Sequence, residues 1–184
     1  LPNETLSRMM HKNLSKIGGV EYNAEEKAFA EQIMSSYETK STLASANEVQ
    51  PFQIFRKGRG GSTDVGDVSW AVPTAGMSAA TWVPGTGAHS WQAVAAGGMS
   101  IGKKGMMVAA KTIALTAIDI YNNPSVTEKA KKELNESRGA DFVYKSLFFF
   151  LETVNSSLSC LCSQPSLNSG KRTNGVLSFC LSII

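Results

Sequence analysis

Histidine and cysteine are scarce in this chain, and their scarcity limits the chemistry it can carry. The 184 residues contain two histidines, His11 and His89, and three cysteines. Cys160, Cys162 and Cys180 all fall within the last 25 positions. An odd cysteine count without a neighbouring histidine excludes a zinc-finger framework and argues against a disulfide scaffold. A reduced, cytoplasmic setting is therefore expected. Long apolar runs are also missing: LFFFL ends at Glu152, and the final VLSFCLSII falls short of the about 20 residues a membrane helix needs. No excess of one charge exists either. Lys+Arg at 18 against Asp+Glu at 15 leaves a dispersed net charge of +3, which does not suit a nucleic-acid surface. Lys103 with Lys104, and Arg56, Lys57 and Arg59, read as solvated surface. The chain opens on Leu1 without a basic-plus-apolar leader, so residue 1 is not expected to be a natural start. Asn-x-Ser/Thr triplets at Asn3, Asn13, Asn135 and Asn155 read as chance matches rather than glycan acceptors.

What remains is a domain-sized sequence with clear punctuation. Leu6, Met9, Met10, Leu14 and Ile17 recur at helical spacing after Asn3, and Gly18-Gly19 stops them. Asn23 with Glu26 three positions on forms a capping box for a second helix, whose apolar face is Ala30, Ile33, Met34 and Tyr37. Residues 39 to 62 read as a polar connection. Val65–Val72 and Ala79–Val83 are short, β-branched or aromatic segments bounded by Gly or Pro, which predicts two buried strands. From Gly102 a long helix follows. Met106, Ala110, Ile113, Ala117 and Tyr121 are its expected buried side, widened by Ala109, Ala114 and Ile118, with small alanines allowing close approach to a sheet. Asn123-Pro124 restarts a helix in cap and first-turn positions, and Arg138-Gly139 ends it. The order helix, helix, strand, strand, helix, helix predicts an α/β fold as a partial layer sandwich. Residues 1–145 form the expected domain. Residues 146–184, with no clear period and only three charged side chains, read as an atypical tail outside it, such as translation past a normal boundary.

Chemistry is expected between Gly61 and Gly105, a segment too rich in glycine for a plain core. It holds Asp64, Asp67, Trp70, Trp82, His89 and Trp91. A histidine in a glycine-rich loop is either a metal or catalytic group, or a local cap. Asp64 and Asp67 could accept the second N–H of a ligating imidazole; Asp64 could equally cap a turn, and Asp67 more simply bonds loop amides. Ser90 beside His89 suggests a Ser-His pair, but adjacent side chains diverge and no third partner is evident. GRGGSTD resembles a phosphate-cradling loop, but without the Walker spacing or its lysine the phosphate reading of Gly58–Ser62 is weak. Trp70 and Trp82 are expected in the core, as are Met106 and Met107, while Trp91 is kept as a candidate pocket wall. His11 is expected at the surface.

Three stretches carry a family resemblance: LPNETLSRMMHKNL, STDVGDVSWAVPT and GTGAHSWQAVAAGGMSIGKKGMMVAAKTIALTAIDIYNNP. They resemble the aminoacylase/carboxypeptidase family of metal-dependent amidohydrolases, in its aminobenzoyl-glutamate-hydrolysing branch. The resemblance implies the C-terminal part of a zinc-peptidase-like catalytic domain, with the lid and dimerisation domain absent. It also implies a divalent metal, zinc or manganese, and a small-molecule amide substrate of aminobenzoyl-glutamate or dipeptide type, in folate catabolism. Homo- or hetero-oligomers through the lid domain follow from it, with no nucleic acid or membrane partner. Among the family's functional residues, the late histidine ligand falls on His89; the earlier ligands and the catalytic glutamate have no counterpart here. Catalytic zinc sites use about three protein ligands plus water, so the isolated chain is expected to bind no metal tightly and to be inactive. The alternative is a non-catalytic remnant or interaction module.

Overall fold

The computed structural model describes residues 1–54, 63–139 and 141–145, together with the backbone of 176–182. Helix α1 spans Glu4–Ile17 and begins where expected: the Asn3 side chain accepts from the Leu6 amide, and Gly18, with φ of 85°, terminates it. Helix α2, Ala24–Met34, starts on the capping box of Asn23 and Glu26, with both reciprocal bonds present. Local chemistry therefore sets both ends of this first pair. A 3-10 turn at Leu43–Ala46 follows in the connection.

The first expected strand is instead a helix, α3, at Val65–Ala71. Val65 and Val68 lie three apart, which suits a helix as well as their β-branching suits a strand. Asp67 lies in its first turn, favourable to the helix dipole. Pro73 then forces Val72 into extended backbone, with φ −136° and ψ 151°. The strand proper is β1, Thr74–Ala80, displaced toward the N-terminus from the expected Ala79–Val83. Its alternation is that of a half-buried strand, with Ala75, Met77 and Ala79 inside and Gly76 and Ser78 outside.

Helix α4 covers Trp91–Gly97, α5 covers Ser100–Asn122 and α6 covers Pro124–Arg138. Asn123 precedes α6 but does not cap it with its side chain, which donates back to the Asp119 carbonyl at 2.9 Å. Strand β2, Val176–Ser182, pairs antiparallel with β1, Thr74 opposite Ser182 and Ala80 opposite Val176. Among the described residues the chain is thus mostly helical with one two-stranded antiparallel sheet, rather than the layer sandwich expected. No described helix is long and apolar enough to cross a membrane.

Two cores hold these elements. Leu6, Met10, Ala75, Met77, Ala79, Ala109, Ile120 and Ala130 join α1, β1, α5 and α6. Ala30, Ile33, Val83, Ala96 and Ile101 join α2, the loop after β1, α4 and the start of α5. Polar ties cross the first. Asn3, buried, donates to the Ala130 carbonyl at 2.9 Å, and Glu133 of α6 accepts from the Glu4 and Thr5 amides, neutralising orphan donors of α1. Asn3 and Asn13 are both buried, so two of the triplet asparagines serve the interior.

The long helix turns a different side inward from the one expected. Ile101, Gly102, Gly105, Ala109, Thr112, Thr116 and Ile120 are buried, while Met106, Met107, Ala110, Ala114, Ile118 and Tyr121 are exposed. Glycine, rather than alanine, makes the close approach: a Cβ on Gly105 would collide with the Ala80 carbonyl at the end of β1. The buried threonines satisfy themselves, Thr112 donating to the Val108 carbonyl at 2.8 Å and Thr116 to that of Thr112 at 2.7 Å. Asn13 of α1 then donates to Thr116 at 3.2 Å and to Asp119 at 2.8 Å. This polar seam against α1 directs the threonine side of α5 inward.

Candidate functional site: the His89 loop

Between β1 and α4 the chain makes a tight loop ending on His89. Thr86 N–H bonds the Val83 carbonyl at 3.1 Å, and Gly85 adopts φ of 85°. A side chain at Gly85 would strike Thr39, so this position needs glycine for both its conformation and its space. Tyr37 of the connection after α2 pins the loop, donating to the Pro84 carbonyl at 2.9 Å and lying 3.2 Å from the fully buried Thr86 hydroxyl. Nothing in the sequence pattern singles out Tyr37 for this task; it looks like one more residue of an apolar helical face.

His89 follows with φ of 59°, the one non-glycine residue in the left-handed region among the described residues. It is exposed and makes no hydrogen bond there. Ser90 is committed elsewhere: its hydroxyl donates to the Gly87 carbonyl at 2.7 Å and accepts from the Ala93 amide at 3.2 Å, capping α4. That leaves no Ser-His pair. Ser90 is therefore fixed while the ring itself projects from a strained backbone. A left-handed non-glycine residue costs on the order of 1 kcal/mol and persists where the surrounding structure over-determines it.

The other sequence-derived candidates are placed as follows. Asp64 precedes α3, exposed, without a side-chain bond to the helix amides, and Asp67 is exposed in the first turn. Among the described residues neither is hydrogen-bonded to His89. Trp91 is 61% exposed on the first turn of α4, two positions beyond His89. Trp82 is half-buried against Gly97, whereas Trp70, expected in the core, lies partly exposed on α3 and stacks on Phe142 at 5.1 Å. His11 is half-buried rather than fully at the surface, its Nε2 2.9 Å from the Gln50 carbonyl and its ring edge-on to Phe52. Gly58–Ser62 and the Arg56, Lys57, Arg59 cluster lie outside the described residues, as do Cys160 and Cys162.

One charged cluster escaped the sequence reading. Glu26, 5% exposed, accepts from Ser100 Oγ and Lys104 Nζ, each at 2.6 Å, as well as from the Asn23 amide at 2.8 Å. Burial opposes its ionisation, but hydrogen bonds from Lys104, Ser100 and Asn23 outweigh that and hold the carboxyl at about 2. Tyr22 nearby is pushed up to about 12, by burial first and then by the Glu26 and Tyr37 charges. This cluster joins α2 to the start of α5. The only signal in sequence was Glu26 itself, which the capping box explains completely.

Among the described residues no group of three or more His, Cys, Asp or Glu side chains converges to hold a metal ion. One imidazole does not make a site, so these residues do not fit a metal by themselves.

Comparison with known proteins relates the chain to part of a hydrolase. The relative is a subunit of p-aminobenzoyl-glutamate hydrolase from Escherichia coli (strain K12), 35% identical in an alignment 157 residues long; the match takes in 72% of this chain and 33% of the relative. The chain thus spans about a third of the length of the curated relative it matches. No family model matches, and no solved structure matches. The relationship inferred from the three motif stretches holds, and it holds for part of a hydrolase chain.

Proposed function

We propose that this chain is the C-terminal portion of the catalytic domain of a metal-dependent amidohydrolase, acting on the amide bond of aminobenzoyl-glutamate-like or dipeptide-like substrates. The observation that carries the reading is His89: an exposed imidazole, without a hydrogen bond among the described residues, on a left-handed backbone in a loop pinned by Tyr37 and Gly85. Strain of this kind collects at functional positions. The relative's name supplies the reaction and the substrate type. In this reading His89 is one ligand of a zinc or manganese ion, and the ligands that complete the set come from the rest of the enzyme. Asp64 and Asp67 stand as candidates to orient the imidazole, and Trp91 as a wall for the aromatic acyl group. The relative is named as a subunit, which fits a chain that works in an oligomer. Folate breakdown in the cytoplasm is the proposed setting.

Catalysis by the isolated chain is not part of the proposal. Its described residues do not form a metal site. The same observation favours the second reading, a non-catalytic remnant. The two are separated by a chimera in which the matched segment of the E. coli relative is replaced by that of this chain. Hydrolysis of p-aminobenzoyl-glutamate by a folded chimera, lowered at least about a hundredfold by His89→Ala, is expected. A chimera that folds like its parent and remains inactive supports the remnant.

A further inference from the structure

Helix α5 is apolar on two opposite sides, and among the described residues only one of them is packed. One side, through Gly105, Ala109, Thr112 and Thr116, packs on β1 and α1. The other presents Met106, Met107, Ala110, Ala114, Ile118 and Tyr121, recurring at intervals of three and four residues. Met106 is 50% exposed, Ile118 54% and Tyr121 86%. From Met106 to Tyr121 this stripe is about 22 Å long at the helical rise. A second apolar stripe of this length on one helix calls for a second packing partner. Along one edge of the stripe lies a cavity of about 340 Å³ between Gly19–Glu21 and α5, with Met107, Lys103 and Lys111 among its lining.

Charge decides what covers it. Lys103 and Lys111 flank the stripe, and the sole acid of α5, Asp119, is on the inward side, bonded to Asn13. A second copy laid two-fold on this face would add an edge of the same net positive charge, with Glu21 the one carboxylate among Lys103, Lys104 and Lys111 in the cavity lining. Length points to another occupant: the E. coli relative is matched over 33% of itself, so most of a hydrolase chain has no counterpart here. We propose that the exposed stripe of α5 is the docking face for the remainder of such a hydrolase chain, an apolar surface carrying carboxylates opposite Lys103 and Lys111. This rests on the reading of the chain as part of a larger amidohydrolase.

The test is co-expression of the full chain with the part of the E. coli relative that it does not match, with the complex measured by light scattering and titration. A one-to-one complex is expected, weakened about tenfold or more by the double substitution Ala110→Glu with Ala114→Glu, since it buries two unpaired charges. Both alanines are exposed and glutamate is a good helix former, so helix content and Tm of the isolated chain should not change. Absence of a complex overturns the proposal, as does a complex indifferent to the glutamates, or self-association of the chain through this stripe. Metal content separates the two layers. A metal-free complex sensitive to the glutamates removes the ligand role of His89 and keeps the docking face; a metal-loaded complex insensitive to them does the reverse.

Discussion

At the scale of single residues, His89 and Glu26 are opposites. Glu26 is fully employed by Lys104, Ser100 and the Asn23 amide, and it is structural. Glu26→Gln should destabilise the fold by about 2 kcal/mol at pH 7, read as a shift in urea midpoint, because hydrogen bonds to a charged acceptor are lost. The pH sign follows from its depressed pKa, from 4.5 toward about 2. The contribution is complete above 4.5 and is lost as pH falls through about 2, so native and variant should converge over that window. A difference that persists undiminished below it would assign the effect to packing instead. His89 has no hydrogen-bond partner among the described residues and is strained. His89→Gly should leave the fold as stable or raise its stability by up to about 1 kcal/mol, because glycine accepts φ of 59° without penalty. A marked loss of stability would make the imidazole a structural group and remove its main support as a ligand. Of these two residues the sequence pointed to one. His89 stood out through composition, as a lone imidazole among glycines, whereas the partners of Glu26 lie 74 and 78 positions away and leave no local trace.

Among the elements, those governed by local chemistry were readable and those governed by packing were not. Asn3, the Asn23–Glu26 box, Gly18 and Gly139 set helix ends through their own backbone and side-chain bonds, and those ends fall where expected. Val65–Ala71 misled because valine content favours a strand while the three-residue spacing and the acidic first turn favour a helix. The displaced strand β1 was hidden by small residues of low β-propensity, although the alternation of Ala75, Met77 and Ala79 is visible afterwards. Helix α5 was placed correctly and rotated wrongly. Hydrophobicity cannot orient a helix that is apolar on both sides; Asn13 and the glycine contacts do so. The glycine side is testable: Gly105→Ala should cost about 2 kcal/mol or more, since its Cβ meets the Ala80 carbonyl and Thr81. A neutral result in thermal melts would show that α5 does not sit this close to β1.

On the scale of the whole molecule, the described residues combine finished cores with two outward-facing features. The cores are complete around α1, β1 and the inner side of α5, while an apolar stripe and a strained, unpartnered imidazole face outward. Both are accounted for if this chain, matching a third of a hydrolase polypeptide, contributes one ligand and one packing face to a larger enzyme. The most direct measurement is the metal content of the folded chimera, by mass spectrometry after dialysis against zinc or manganese, with and without His89→Ala. The account predicts that the native chimera retains the ion and that the alanine variant binds it about tenfold to a hundredfold more weakly. Equal metal retention by both would contradict the assignment of His89.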